Sequence, residues 1–491
     1  MRSPTRCFGC PGHRSFTRRP GPTLVLTLLT ATLGCRDDAD SPTGPAPALD
    51  VAAAAAPLSF RQVSVGGFPG GSDYHACGVT TDDRAYCWGL NTWGQLGIGS
   101  VYEGPEDCGN PCSTRPVAVV GGLRWRHVRA GDRFTCGVTT DYRAYCWGRN
   151  IEGQLGSPTE VPQGAPIPVA GGRKFRQIRA GVAHACAITP SDVAFCWGAN
   201  WNGSLGDGTT TSRSTPVRVL GALSWRELEG DYNHTCGVTF ANQAYCWGGN
   251  FAGKLGDGTT TDRLRPKAVA GGFAFRQIDA GWIHTCAVTT AGRAYCWGAN
   301  GSGALGDGTK DFHLTPVQVA GGRFYDQVSA GSSYTCGVTR AGRGLCWGAN
   351  GVGQLGIGST DPRLTPTALG ADLSWSMVAT GGAATCGVTN DQQAYCWGTT
   401  LSASLAMVRR SRGCCRHPSP GPCEPQSRSG TGARSSQETT PHHGRETKTR
   451  TYPSRRGGKP FRVGPARLER ATSCSGAARC QRRPAPVGVS P

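Results

Sequence analysis

The tripeptide Cys-Trp-Gly begins at Cys87, Cys146, Cys196, Cys246, Cys296, Cys346 and Cys396, at a spacing of 59 residues once and 50 thereafter. A chain with this period is an array of seven copies of one supersecondary unit. One copy reads Phe-Arg-Gln-Ile-Asp-Ala-Gly over 275–281, His-Thr-Cys-Ala-Val-Thr over 284–289 and Arg-Ala-Tyr-Cys-Trp-Gly over 293–298. A Gly-rich stretch through Leu305-Gly306-Asp307-Gly308-Thr309 follows, then Pro316-Val-Gln-Val319 and Gly321-Gly322. These are four short β-branched or aromatic runs, A to D, separated by Gly, Asn and Asp turns. A lone four-stranded sheet buries its two faces only against neighbouring copies, so the pattern predicts an all-β, seven-bladed β-propeller over residues 58–398. With 74 Gly and 33 Pro in 491 residues, a helical bundle is excluded.

The run His-Thr-Cys-Ala-Val-Thr-x-x-Gly-Arg-Ala-Tyr-Cys-Trp-Gly-x-Asn-x-x-Gly-x-Leu-Gly resembles the repeat of the regulator of chromosome condensation family, and it recurs seven times. The resemblance implies a seven-bladed propeller and a protein-binding platform. Chemistry does not travel with a fold. The eukaryotic family member exchanges nucleotide on a small GTPase, whereas the same scaffold also resembles secreted bacterial propellers that bind or inhibit other proteins.

Of 24 cysteines, 16 lie between 77 and 396, and 14 of those form pairs ten residues apart. The pairs are Cys77/Cys87, Cys136/Cys146, Cys186/Cys196, Cys236/Cys246, Cys286/Cys296, Cys336/Cys346 and Cys386/Cys396. On a B–C hairpin the two members sit symmetrically about the turn and face each other, with Cβ atoms roughly 4.5–5.5 Å apart. Seven intrablade disulfides are expected; reduced core cysteines and metal ligands are the alternatives. Cys108 and Cys112 form an eighth candidate pair inside an insertion. Fourteen opposed cysteines fit an oxidising compartment better than a reducing cytosol.

The N-terminus agrees with export. Arg2, Arg6, Arg14, Arg18 and Arg19 precede the apolar run 23–34, which is too short to span a bilayer and reads as a signal-peptide core. It ends in Leu33-Gly34-Cys35, which resembles a bacterial lipoprotein cleavage site with Cys35 the lipidated residue, although Thr32 stands where that motif prefers Leu. Residues 1–35 are then a leader and 36–57 a Pro/Ala-rich tether. Plain secretion is the alternative. The basic leader is long, which points to a start further downstream.

The formal charge of +19 suggests nucleic acid until it is located. Residues 399–491 carry 18 Lys and Arg against 4 Glu, and residues 1–50 carry 6 Arg against 4 Asp, so 51–398 holds only +3. A basic groove for DNA or RNA is not supported.

The segment from 399 onward reads as the wrong frame. After Cys396-Trp-Gly398 the repeat should continue x-Asn-x-x-Gly-Gln-Leu-Gly-Asp-Gly-Thr, yet the chain runs Thr-Thr-Leu-Ser-Ala-Ser-Leu-Ala-Met-Val-Arg-Arg. Ala403–Val408 can be written GCC AGC TTG GCG ATG GTA, and the frame one base earlier reads CAG CTT GGC GAT GGT, or Gln-Leu-Gly-Asp-Gly. Under the same shift Gly413-Cys414-Cys415-Arg416 permits Leu, forces Leu, then permits Pro. Leu264 and Pro266 of repeat four stand nine and eleven residues after Leu255, and the shifted Leu and Pro fall at those offsets. One base is inferred lost near codons 399–400; an evolved basic tail is the alternative. As written, the seventh repeat has runs A to C but no D, and residues 45–58 offer no substitute, which leaves a sheet edge open.

No catalytic constellation stands out. His184, His234 and His284 recur at the repeat period and read as strand-end residues satisfied by backbone. Asp207, Asp257 and Asp307, in Gly-Asp-Gly-Thr, resemble part of a calcium loop but lack further spaced carboxylates; tight turns are expected. The Trp of each Cys-Trp-Gly belongs to interblade core.

In an antiparallel blade the A–B and C–D loops emerge on one face, and repeat one is expanded in both, over 66–73 and 99–113. That face carries Trp93, Trp201 and Phe251 in C–D loops and Tyr232 and Trp282 in A–B loops. Aromatics clustered on a rigid ring build a binding hot spot; packing within their own loops is the alternative. The expected protein is a monomeric, non-catalytic, extracytoplasmic scaffold, lipid-anchored or secreted, that binds a protein or glycan. No cofactor, metal or nucleic acid is expected. The competing functions are guanine-nucleotide exchange and a surface hydrolase or lyase.

Overall fold

The computed structural model describes residues 58–68, 74–107, 111–370 and 373–399. Cys35, Cys108, the leader, the tether and the chain from residue 400 lie outside the described residues. Seven sheets follow in chain order, and all but the first and last have four antiparallel strands in the order A–B–C–D. Blade 5 is representative: A is Phe275–Ala280, B is His284–Thr289, C is Ala294–Gly298 and D is His313–Gln318. The D strand therefore starts three residues before the Pro316 expected from sequence. Blade 1 adds a two-residue strand, Glu106–Asp107, on its D strand. Blade 7 has three strands among the described residues, A Trp375–Thr380, B Ala384–Thr389 and C Ala394–Gly398.

Burial grades outward from the axis. Every residue of strand B in blade 5 is buried, whereas its D strand alternates between half-buried and exposed. The hydrophobic clusters lie between blades. One joins Cys236, Val238, Cys246 and Leu255 of blade 4 to Phe275, Ile278, Ala287 and Trp297 of blade 5. The repeat glycines follow from this packing. Trp297 lies over Gly256 of the preceding blade so closely that a Cβ there would stand 2.6 Å from the indole nitrogen. Gly298 has φ of +107° and abuts the start of strand B, where a Cβ would meet the Ile283 carbonyl oxygen at 2.7 Å.

The cysteine pairs are disulfides, one per blade, and each pair is directly opposed on strands B and C. Their Cα atoms lie 4.0–4.1 Å apart, the close spacing of a non-hydrogen-bonded antiparallel pair. Cys112 is also disulfide-bonded. The bridges sit within the interblade clusters, so each cross-links its own hairpin and packs on the next blade.

Four kinds of hydrogen bond sew blade to blade. The first is backbone, as in Phe275 N–H to Asn242 O at 2.8 Å, and it recurs at all seven junctions. The second comes from the indole of strand C: Trp297 Nε1 donates to Lys254 O at 3.0 Å, and Trp147, Trp197, Trp247, Trp347 and Trp397 do likewise. The third uses the side chain on the inner strand, where Gln277 and Gln327 each bridge both backbone groups of the next inner strand, at Val328 and Val378.

The fourth uses the repeating histidines. His234 Nε2 meets Thr285 Oγ1 of the next blade at 3.1 Å, and His184 and His284 meet Thr235 and Thr335. Their partners are thus side chains of the neighbouring blade, not the backbone groups expected from sequence. Thr285 gives its only hydroxyl proton to Lys254 O, so His234 must donate from Nε2. Burial lowers the pKa of His184 and His284 to about 4, which keeps them neutral.

Candidate binding face and central channel

The five aromatic positions expected on the loop face separate into three environments. Trp201 and Phe251 are 54% and 70% exposed at the tips of adjacent C–D loops. Ile151, 47% exposed, holds the same repeat position one blade earlier and was not singled out from sequence. Each follows the buried Asn that organises its loop. Asn250 Oδ1 accepts from Leu255 N–H, and its Nδ2 donates to Thr259 O and Thr261 O, so the tip is presented on a fixed turn. Ile151, Trp201 and Phe251 thereby form an apolar arc over blades 2 to 4.

Trp93 is half-buried, 6.0 Å from Tyr102 in its own expanded loop and beneath the Arg149 guanidinium. Tyr232 and Trp282 are half-buried and pack on each other at 5.8 Å. Phe68, following strand A of blade 1, reaches blades 4 and 5 and lies 5.8 Å from Tyr232 and 5.6 Å from Trp282. These two residues therefore serve a cross-ring contact. Under them lies Lys254, 2% exposed, its Nζ bonded to Asn233 Oδ1 at 2.5 Å and Trp282 O at 3.1 Å. The ammonium is 5.5 Å from the Tyr232 ring. Burial lowers its pKa to about 8.

The inner strands line a central cavity of about 220 Å³. Its charged side chains come from one arc. Arg129 and Asp132 belong to blade 2, Arg179 to blade 3, Glu227, Glu229 and Asp231 to blade 4, and Asp279 to blade 5; Ser329, Ala379 and Ser64 hold the places equivalent to Asp279 in blades 6, 7 and 1. Arg179 pairs with Glu229. Burial, and then Arg179 beside it, lowers the Arg129 pKa to about 9. Burial and the neighbouring Glu229 raise Glu227 to about 7, and burial raises Asp279 well above the usual carboxylate range. Glu227 accepts Ile278 N–H at 2.6 Å and Asp279 accepts Ala330 N–H at 3.0 Å. Glu227 thus does for the next blade what Gln277 and Gln327 do for theirs, and Asp279 does what Ser329 does in accepting Thr380 N–H. Sequence reading missed this set because its members are spread over consecutive repeats about fifty residues apart; aligning the strand-A runs exposes them.

Among the described residues no group of three or more His, Cys, Asp or Glu is placed to hold a metal, and no helix is long and apolar enough to cross a membrane. The Asp-Gly-Thr carboxylates are spent within their turns. Asp257 accepts from Thr259 Oγ1 at 2.7 Å and pairs with Arg263 at 2.6 Å.

The fold and its loop face define a disulfide-bonded β-propeller with an apolar rim and a charged axis. Its repeats match the family model described as "Regulator of chromosome condensation (RCC1) repeat" at residues 82–138, 142–188, 242–288, 291–338 and 341–388. The chain belongs to that family. It is 32% identical over 83 residues to the human probable E3 ubiquitin-protein ligase HERC4, a stretch covering 17% of this chain and 7% of the ligase. Human WBSCR16 superposes with a TM-score of 0.60 at 18% identity, covering 68% of this chain and 88% of that one. Prp20p of Saccharomyces cerevisiae, whose structure was described with its binding to Gsp1p and histones, gives 0.55 at 20% identity over 65% of this chain and 80% of its own. These likenesses establish the fold.

Proposed function

We propose that this chain is an extracytoplasmic, non-catalytic scaffold that captures a protein partner on the loop face through Ile151, Trp201 and Phe251. The observation that carries the reading is the arc itself: three large apolar side chains stand exposed at one repeat position on consecutive blades, on turns fixed by buried asparagines. The binding of Gsp1p and histones by Prp20p supports a protein partner for a propeller of this shape. One disulfide per blade supports an oxidising location.

The test compares two double variants in capture of partners from a cell-envelope fraction. Trp201→Ala with Phe251→Ala should keep the parent melting temperature and lose more than about tenfold in affinity for whatever the parent retains. Tyr232→Ala with Trp282→Ala should lower the melting temperature, because it empties a packed contact. Unchanged capture by the first variant would sink the arc as the binding site.

A further inference from the structure

The net charge of +3 over residues 51–398 conceals a separation by face. The linkers into the A strands and the B–C turns meet at the end of the ring opposite Trp201 and Phe251, as Phe275 at the start of strand A pairs with Thr289 at the end of strand B. In blades 2 to 6 these segments, residues 120–126, 139–143, 170–176, 189–193, 220–226, 239–243, 270–276, 289–293, 320–326 and 339–343, carry 12 Lys and Arg against 3 Asp. The remainder of 51–398 carries 15 Lys and Arg against 21 Asp and Glu. All three Asp of the basic face are already taken: Asp141 pairs with Arg143 at 3.2 Å, Asp192 with Arg176 at 2.9 Å and Asp326 with Arg276 at 3.6 Å. That leaves 9 cations with no carboxylate partner among the described residues. Four of them, Arg173, Lys174, Arg323 and Arg343, are exposed, and among the described residues their side chains donate no hydrogen bond to the protein.

Two phenyl rings stand among these cations. Phe240, 50% exposed, lies under the guanidinium groups of Arg176 and Arg226 at 5.8 and 5.7 Å. Phe324, 44% exposed, lies under those of Arg293 and Arg340 at 4.2 and 5.2 Å. A guanidinium held by its face presents donors along its edge, which suits the paired oxygens of a phosphate. The chain also enters the ring here. Strand A of blade 1, Phe60–Gly66, starts level with Thr80 at the B–C turn, so whatever precedes Leu58 joins the ring on the basic face. A groove for a duplex gathers its cations into one channel, whereas these are spread over five blades with one to three on each. We infer that this face docks on an anionic phospholipid bilayer, with its arginines on the headgroup phosphates and Phe240 and Phe324 at the acyl boundary. Docked so, the ring turns Ile151, Trp201 and Phe251 outward, and the docking stands whether or not that arc captures a partner.

The experiment sediments the full chain with vesicles of phosphatidylcholine and phosphatidylglycerol, and with phosphatidylcholine alone as the uncharged surface. Two double variants remove the same charge, Arg323→Gln with Arg343→Gln on the basic face and Arg265→Gln with Lys310→Gln away from it. Both should keep the parent melting temperature. The first should lose at least about tenfold in affinity for the anionic vesicles and the second less than about twofold. The basic segment from residue 399 is common to every sample, so the difference between the variants reads the face alone. Amide exchange on the anionic vesicles should slow over 320–326 and 339–343 and stay unchanged over 200–204 and 250–254. Equal losses in the two variants overturn the inference, by assigning attachment to net charge. Equal affinity for both kinds of vesicle, or slowed exchange at the C–D loop tips instead, also overturns it. Tighter binding to duplex DNA than to anionic vesicles at equal phosphate concentration overturns it by assigning the face to nucleic acid.

Discussion

At the junction of blades 4 and 5, Trp297 donates to Lys254 O, His234 to Thr285, and Glu227 accepts from Ile278, around a cluster that contains Leu255. At the junction of blades 7 and 1, among the described residues only the backbone bond from Phe60 N–H to Gln392 O represents the four kinds. Ala384 and Ala76 stand where His and Thr would meet, Met377 stands where Gln would reach across, and Trp88 has no acceptor among the described residues. Half of each junction is written in the copy before it.

That contrast can be broken or sharpened in four ways. The largest effect is expected from truncating the interblade indole. Trp297→Ala should cost about 3–5 kcal/mol in urea unfolding, and Trp88→Ala clearly less, because among the described residues no leucine of blade 7 packs over it. Equal losses would make the two junctions energetically alike.

Replacing both cysteines of blade 5, Cys286→Ser with Cys296→Ser, should cost toward the low end of roughly 2–4 kcal/mol, since each bridge closes a loop of only ten residues. Under graded reductant, peptide mapping after alkylation should find Cys386–Cys396 opened first, because Cys396 is 6% exposed while the cysteines of blade 5 are fully covered. Simultaneous opening of all bridges would remove the distinction.

Acid should act at the histidine junctions and spare the closing one. The folded pKa of His284 lies at about 4, below its unfolded value of 6.5. The unfolded chain therefore binds the extra proton first, and the stability tied to neutral His284 is complete above pH 6.5 and drains as pH falls toward 4. The stability difference between the parent and His284→Gln should shift against the parent by on the order of 2–3 kcal/mol across that window. A difference independent of pH would show that His284 is not held neutral.

The smallest effect separates the two indole nitrogens. Trp297→Phe should lose about 1 kcal/mol with its hydrogen bond, and Trp88→Phe should lose none of that kind. Matching losses would mean that Trp88 has found an acceptor.

The period of Cys-Trp-Gly made the blades, their hairpins, the disulfides and the buried tryptophans legible in sequence, because each is a property of one copy. The interblade partners were harder to read, because they couple positions most of a repeat or a full repeat apart, 43 residues for the Trp297 indole and 51 for His234. The pairs vary together: His234 meets Thr285, Tyr334 meets Thr385, and Phe134 packs in the same cluster as Ala185. A reading confined to one repeat sees only half of each pair and assigns the histidine to backbone. The loop aromatics were legible as a set, but nothing in their spacing told Trp201 at a loop tip from Trp282 beneath Phe68. That distinction depends on a single residue arriving from the opposite side of the ring.

The charges along the axis give the ring a front and a back in its own plane. Arg129 and Arg179 face inward beside Glu229 and Asp279, and the rest of the circumference is neutral. Seven copies that share a backbone are thus no longer interchangeable parts. A circular permutation that preserved their order would keep this compass, and a shuffled order of the same seven units would assemble the same shape with its buried charges beside the wrong neighbours.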